Sequence, residues 1–281
     1  MDWSQGYREQ PPPAALFPSV ACLWARVVGP GADAVAEVLP DACVDLIWEQ
    51  GVGVYVAGPD TGPVPSVSPA GTLLAAVRFA PGAAGPALGM PMSALLNQRV
   101  AASDLGTAQA TALARALPGS LAPAEALRVL VRAAGAMSAK GPADPLAART
   151  AGLLQRPGAL AEDIAGRLDV SERQLRRRCQ ASVGYGPATL RRVLRFRRFV
   201  SWADAGARGA DLASAAARLG YADQAHLTRE CVRLAGLTPA ALLAARRPGD
   251  EERGPGPSDL AGGPPDRRRP ATDGQPERAM W

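Results

Sequence analysis

The sequence predicts two folded domains of different class and an unstructured tail. The first is an N-terminal α+β domain with a small antiparallel sheet or barrel. The second is a C-terminal all-α domain of two helix-turn-helix motifs joined by a long helix. Three observations carry this. The hydropathy period changes near residue 140, from short β-rich runs to helical stripes. A block of about a hundred residues repeats itself at an offset of 52. The charge follows the same division: residues 1–147 hold 8 basic and 11 acidic residues, 148–248 hold 18 and 8, and 249–281 hold 5 and 7, so balances of −3, +10 and −2 make up the net +5. These features set boundaries of 1–139, a linker at 140–146, 147–247, and a tail at 248–281.

The N-terminal strands come first. Ala34–Leu39, Cys43–Trp48, Val52–Ala57 and Leu73–Phe79 are short and rich in β-branched or aromatic residues. Gly29-Pro30-Gly31, Pro40, Gly58-Pro59 and Pro69 punctuate them. Pro81 through Pro91 reads as a loop. Helical pattern follows at Met92–Leu96, Ala108–Leu117 and Pro123–Ala134. Lys140-Gly-Pro-Ala-Asp-Pro145 breaks both periods and predicts the linker. From Pro248 the chain is rich in Gly, Pro and charge, with too few apolar residues to bury a core.

Within the basic block, Leu175, Arg177, Cys179, Gly184, Pro187 and Leu190 recur as Leu227, Arg229, Cys231, Gly236, Pro239 and Leu242. Each copy predicts two short helices and a turn. In the first, Ala161, Ile164, Ala165 and Leu168 form one stripe, and Asp169-Val170 turns the chain. Ser171 caps the second helix, with Gln174 in capping-box spacing. In the second copy Asp211 caps one helix, Gly220 stops it, and Asp223 caps the next. Between the copies, Pro187–Asp204 reads as one helix with an apolar side and a side of arginines (Arg191, Arg192, Arg195, Arg197, Arg198). Pro187 to Trp202 spans about 24 Å, so with module thickness the reading helices stand about 34 Å apart, one duplex turn.

Ser171-Glu-Arg-Gln-Leu-Arg-Arg-Arg178, Gly184-Tyr-Gly-Pro187, Leu219-Gly-Tyr-Ala-Asp-Gln224, His226-Leu-Thr-Arg229 and Gly236-Leu-Thr-Pro239 resemble the AraC/XylS-type DNA-binding domain over residues 146–246. Leu39–Trp48, Ala57–Asp60, Val77–Gly82 and Gly89–Pro91 resemble a domain, without a known role, that precedes such modules in an actinobacterial-type subgroup. The resemblance implies a bacterial transcription regulator acting at promoters, with activator and repressor both open. It implies base-edge contacts at Arg173, Arg176 and Arg177 in the first reading helix, and at Gln224, Ala225, His226 and Arg229 in the second. Their chemistry agrees, since Arg pairs with guanine and Gln with adenine in the major groove. Ser171, Arg178, Arg191, Arg195 and Thr228 are expected at phosphates, which set register and salt dependence. The family's usual core phenylalanine is replaced at Cys179 and Cys231, so a core looser by about 1–3 kcal/mol is expected.

The partners expected are double-stranded promoter DNA, RNA polymerase, a small-molecule effector and a second copy of the chain. No metal, cofactor or membrane is expected, and the location expected is cytoplasmic, on the nucleoid. His226 is the only histidine, which leaves a Ser-His or Cys-His machine with one candidate base. Four widely spaced cysteines form no metal or disulfide pattern. Two alternatives stay open for residues 1–139: an enzyme using Asp41, Cys43, Asp45 and Trp48, or a protein-interaction module. Cys22 and Cys43 read as small core residues, with a redox thiol as the other reading.

Overall fold

A computed structural model describes residues 6–31, 33–206 and 211–246. The expected tail lies outside the described residues.

Eight strands occupy the N-terminal part: β1 (Gly6–Gln10), β2 (Val20–Val27), β3 (Ala34–Val38), β4 (Val44–Glu49), β5 (Gly53–Ala57), β6 (Val64–Ser68), β7 (Leu73–Phe79) and β8 (Arg99–Ala101). Six form one antiparallel sheet in the order β1-β2-β7-β4-β5-β8, and β3 pairs with β6 in a separate ribbon. Side chains alternate across the sheet. Leu46, Trp48, Val54, Val56, Ala75, Val77 and Phe79 face one core, while Trp24, Ile47, Ala57, Leu74 and Ala76 face the other side.

The first core is closed by helices. Short helix α1 (Ala84–Leu88) interrupts the segment expected as a loop; α2 (Ala108–Ala116) and α3 (Pro123–Lys140) follow. Pro123 opens α3 at a position where a missing N–H costs nothing. Its buried stripe, Ala126, Leu127, Leu130, Ala134 and Met137, packs on β4 and β7.

The linker expected at 140–146 is shorter and held in place. Helix α3 runs through Lys140, and Asp144 already caps α4 (Pro145–Leu154) by accepting from the Leu146 and Ala147 amides. A Cβ at Gly141 would stand 1.9 Å from the Pro86 carbonyl oxygen, so only glycine fits there. The Asp144 amide donates to Gly82 O at 3.3 Å. Leu39, Ala42 and Leu96 pack into the core of the helical part.

That part contains α5 (Asp163–Arg167), α6 (Glu172–Val183), α7 (Pro187–Asp204), α8 (Leu212–Leu219), α9 (Gln224–Ala235) and α10 (Pro239–Ala245). Helix α7 lies at the centre of one core, with Phe196 and Phe199 fully buried. Cys179 and Cys231 are also fully buried in that core, at matching positions of the repeat. Burial raises their thiol pKa values to about 11 and about 12, so both behave as small apolar side chains. Among the described residues no helix is long and apolar enough to cross a membrane.

Candidate nucleic-acid interface

Each module is fixed by its own termini. In the first, the turn between α5 and α6 places Asp169 in the left-handed region, at φ +53°. Ser171 Oγ then accepts the Gln174 amide at 3.2 Å. In the second, Asp211 accepts the Ala213 and Ser214 amides, Gly220 ends α8 at φ +83°, and Asp223 accepts the His226 amide at 2.6 Å. Helices α6 and α9 follow each turn, with Leu175 and Cys179, and Leu227 and Cys231, facing inward.

The opposite faces carry the expected base-reading residues. Arg173, Arg176 and Arg177 are exposed on α6; Gln224, Ala225 and Arg229 are exposed on α9. Among the described residues, the four arginines of this set have no recorded hydrogen bond or ion pair. Their guanidinium groups are exposed to solvent.

The arginines of α7 lie differently. Arg195 is 5% exposed. It donates to Gly220 O at 3.2 Å and to His226 Nε2 at 3.1 Å, and its guanidinium carbon sits 4.4 Å above the Tyr221 ring. Buried Glu230 pairs with Arg195 and with Arg192 Nε, the latter at 3.3 Å. Arg198 donates to Gln155 O and Leu219 O, carbonyls at the C-terminal ends of α4 and α8. Arg191 donates to Ala159 O at 2.6 Å. Of the arginines expected at phosphates, Arg195 thus already engages the end of α8 and a buried carboxylate, and Arg191 a loop carbonyl between α4 and α5. Arg178 is likewise engaged, holding both Asp144 oxygens in a fork, with Ser182 Oγ on the same carboxylate at 3.1 Å. Burial pushes the Asp144 carboxyl up, but Arg178 and the backbone amides outweigh it and hold it below the usual range. Ser171 remains exposed at the start of α6, and Thr228 Oγ1 donates to Gln224 O.

His226 sits between the reading face and this network. Arg195, which can only donate, approaches Nε2, and the Ala222 amide donates to Nδ1 at 3.4 Å, so donors face both ring nitrogens and disfavour the doubly protonated, charged ring. Burial, then the charge of Arg195, lowers its pKa.

On the far side of the sheet the β3–β6 ribbon covers a cavity of about 440 Å³. Trp24, Ile47, Tyr55, Leu74, Val38, Val64 and Val67 supply apolar walls; Arg26, Asp45 and Arg99 supply charge. Asp45 is held by Arg78, with Nε at 2.9 Å and Nη2 at 3.0 Å, and by Trp24 Nε1 at 3.1 Å. Arg78 is 2% exposed and also faces Glu9 and Asp41. Arg99 forms a fork with Asp60 at 2.8 and 2.9 Å.

Of the residues set aside for chemistry, Asp41 and Asp45 meet on Arg78, while Trp48 lies in the core on the other side of the sheet. Trp48 is fully buried and donates to Pro118 O, Asp41 accepts the Cys43 amide, and burial pushes the Cys43 thiol up. All four cysteines are buried, and among the described residues no disulfide links them. Of the charged residues lining the cavity, the sequence points to Asp45 and not to Arg26 or Arg99. The signal for Arg26 and Arg78 was there: each is a lone arginine in an apolar strand.

The class that this arrangement defines is a helix-turn-helix protein in which the motif occurs twice. More particularly, residues 164–245 match a family described as a helix-turn-helix domain, and that domain is of the AraC type. Residues 8–101 match a domain of unknown function (DUF6597). Among solved structures, ToxT from Vibrio cholerae O395 is 11% identical with a TM-score of 0.40, covering 78% of this chain and 95% of its own. ToxT bound to (E)-4-(8-methylnaphthalen-1-yl)but-3-enoic acid is 10% identical with a TM-score of 0.42, over 86% of this chain and 100% of its own. Unsaturated fatty acid bound wild-type ToxT from strain SCE256 is 11% identical with a TM-score of 0.39, over 86% and 96%. No curated protein matches the chain.

Proposed function

We propose that α6 and α9 read two successive major-groove segments of promoter DNA, through Arg173, Arg176, Arg177, Gln224, Ala225, His226 and Arg229. The observation that carries this is the contrast among arginines. Arg191, Arg192, Arg195 and Arg198 of α7 bind protein groups, while Arg173, Arg176, Arg177 and Arg229 are exposed on the outer faces of α6 and α9. Exposed N–H groups at the starts of α6 and α9, with Ser171 and Thr228, take the phosphates. Selection of duplexes from a random pool by the full chain tests it. One preferred sequence with two half-sites is expected, and equal binding to selected and scrambled duplex across salt concentrations would end the reading.

The N-terminal domain senses a small effector in the cavity beneath the β3–β6 ribbon. A volume of about 440 Å³ with apolar walls and two arginines suits a compact apolar molecule bearing an acidic group. Trp24 in the cavity wall gives a fluorescence signal for a screen of small acids and their alcohols. A ligand at a hundred times its Kd raises stability by about 2.7 kcal/mol. No hit from the screen in either assay would remove effector sensing. Contact with RNA polymerase, pairing of two chains and a nucleoid location complete the proposal. Sedimentation as a monomer on and off the selected duplex would remove the pairing.

A further inference from the structure

One short turn of the N-terminal domain touches both reading modules. It is Gly58-Pro59-Asp60-Thr61-Gly62-Pro63, between β5 and β6. At one end, Pro59 lies against Gly184, the left-handed glycine that ends α6 at φ +97°; a Cβ at Gly184 would stand 2.5 Å from Pro59 Cγ. At the other end, Pro63 lies against Gly236, the glycine that ends α9 at φ +68°, where a Cβ would stand 3.9 Å from Pro63 Cγ. A Cβ at Gly62 would be 3.8 Å from the Arg233 carbonyl oxygen, in the last turn of α9. Gly184 and Gly236 are equivalent positions of the internal repeat, 52 residues apart. One six-residue segment thus spans the same point on both modules.

The turn is stiff and well anchored. Two prolines fix their own φ angles. Gly58 donates to Gln98 O at 2.9 Å, and Asn97 donates to Pro59 O at 3.0 Å. Asn97 Oδ1 accepts from the Thr61 amide at 2.8 Å and from its hydroxyl at 3.1 Å. Asp60 is 6% exposed and is held by both Nη1 and Nη2 of Arg99. This brace is independent of α7, which ties the modules through Arg198 and through Glu230.

We propose that the Gly58–Pro63 turn sets the separation of the two reading helices, and so the half-site spacing the protein accepts on DNA, with Asp60 and Arg99 as its positioning pair. This rests on the two-groove reading above. A helix displaced by one base pair loses its base contacts, because rise and rotation both change. A rigid brace therefore gives a sharp spacing optimum, and a loosened brace gives a broad one. Arg99 also lines the cavity, so an acid that draws it away from Asp60 acts on the same spacing.

The experiment uses the full chain and the selected duplex, with its half-sites moved apart or together one base pair at a time. Wild type is expected to lose about tenfold or more in affinity at the first step, the effect of a misplaced base contact. Asp60→Asn and Arg99→Gln are expected to lose about threefold or less at that step, near the lower end of a single base mismatch. Arg99→Lys, which keeps charge but not the fork, falls between them. Pro63→Ala trims the contact with Gly236 without touching the ion pair, and it too broadens the profile. Circular dichroism and melting accompany each variant, so Pro63→Ala still decides the matter if a buried-pair variant does not fold. Folded variants with the wild-type spacing profile would overturn the proposal. A wild type that does not prefer the selected duplex to a scrambled one would overturn both it and the two-groove reading.

Discussion

Arg177 and Arg198 are both arginines of the basic block, yet they call for opposite experiments. Arg177 is exposed on α6, as Arg229 is on α9. Replacing either by Ala is expected to cost about 1–3 kcal/mol on the selected duplex and to relax preference at one base position, measured by binding to single-base variants. Arg198→Ala removes donors from two helix ends, so thermal stability falls while base preference is unchanged. Asp45 sits in a buried pair with Arg78. Asp45→Ala removes the nearest of three carboxylates around that guanidinium, Glu9 and Asp41 remaining, and is expected to cost about 1.5–3 kcal/mol in denaturant unfolding. Asp45→Asn costs less, because it keeps an acceptor for Trp24. His226 gives a pH signature. Its folded pKa is lowered, first by burial and then by Arg195, while the unfolded chain takes up the proton near pH 6.5. Stability therefore falls as pH drops through 6.5 towards the folded value. Over that window the melting temperature of wild type is expected to fall more steeply than that of His226→Gln; equal slopes would contradict the neutral ring assigned here.

At the scale of elements, the caps were the most legible feature. Asp211, Asp223 and Ser171 each accept backbone amides where their spacing placed them. Asp211→Ala, with no other partner for the Ala213 and Ser214 amides, is expected to lose about 0.5–2 kcal/mol, read from chemical denaturation. The strands were legible in part. The strand-like segments at 34–39, 43–48, 52–57 and 73–79 are strands, whereas β2 went unread although it is the longest. Seven of its eight residues are buried, so the polar alternation of a half-exposed strand is missing. Helix α1 hid between two prolines and two glycines. The basic side of α7 is expected from the sequence to meet phosphates. In the structure it lies against the C-terminal ends of α4 and α8 and against Glu230, because this helix sits between the two modules rather than outside them.

At the scale of the molecule, the two domains share a joint rather than a tether. Asp144 caps α4 and holds Arg178, while Leu39, Ala42 and Leu96 enter the helical core. The two C-cap glycines separate strain from packing. At Gly236 an alanine meets only the left-handed backbone, costing about 1–2 kcal/mol. Gly184→Ala adds a collision with Pro59 and is expected to lower the melting temperature further and to disturb the domain joint, read as increased proteolysis near residues 141–144. By itself the sequence determined a sheet-rich N-terminal part and a helical C-terminal part, the duplicated motif, its caps and the exposed residues of α6 and α9. Those follow from periodicity, turn chemistry and charge, which are local and repeat at fixed spacing. Only the tertiary structure decided which arginines are free to meet DNA, that a cavity opens between sheet and ribbon, and that one turn braces both modules. These depend on residues far apart in the chain, where burial and competition for carbonyls and carboxylates outweigh what any short segment prefers.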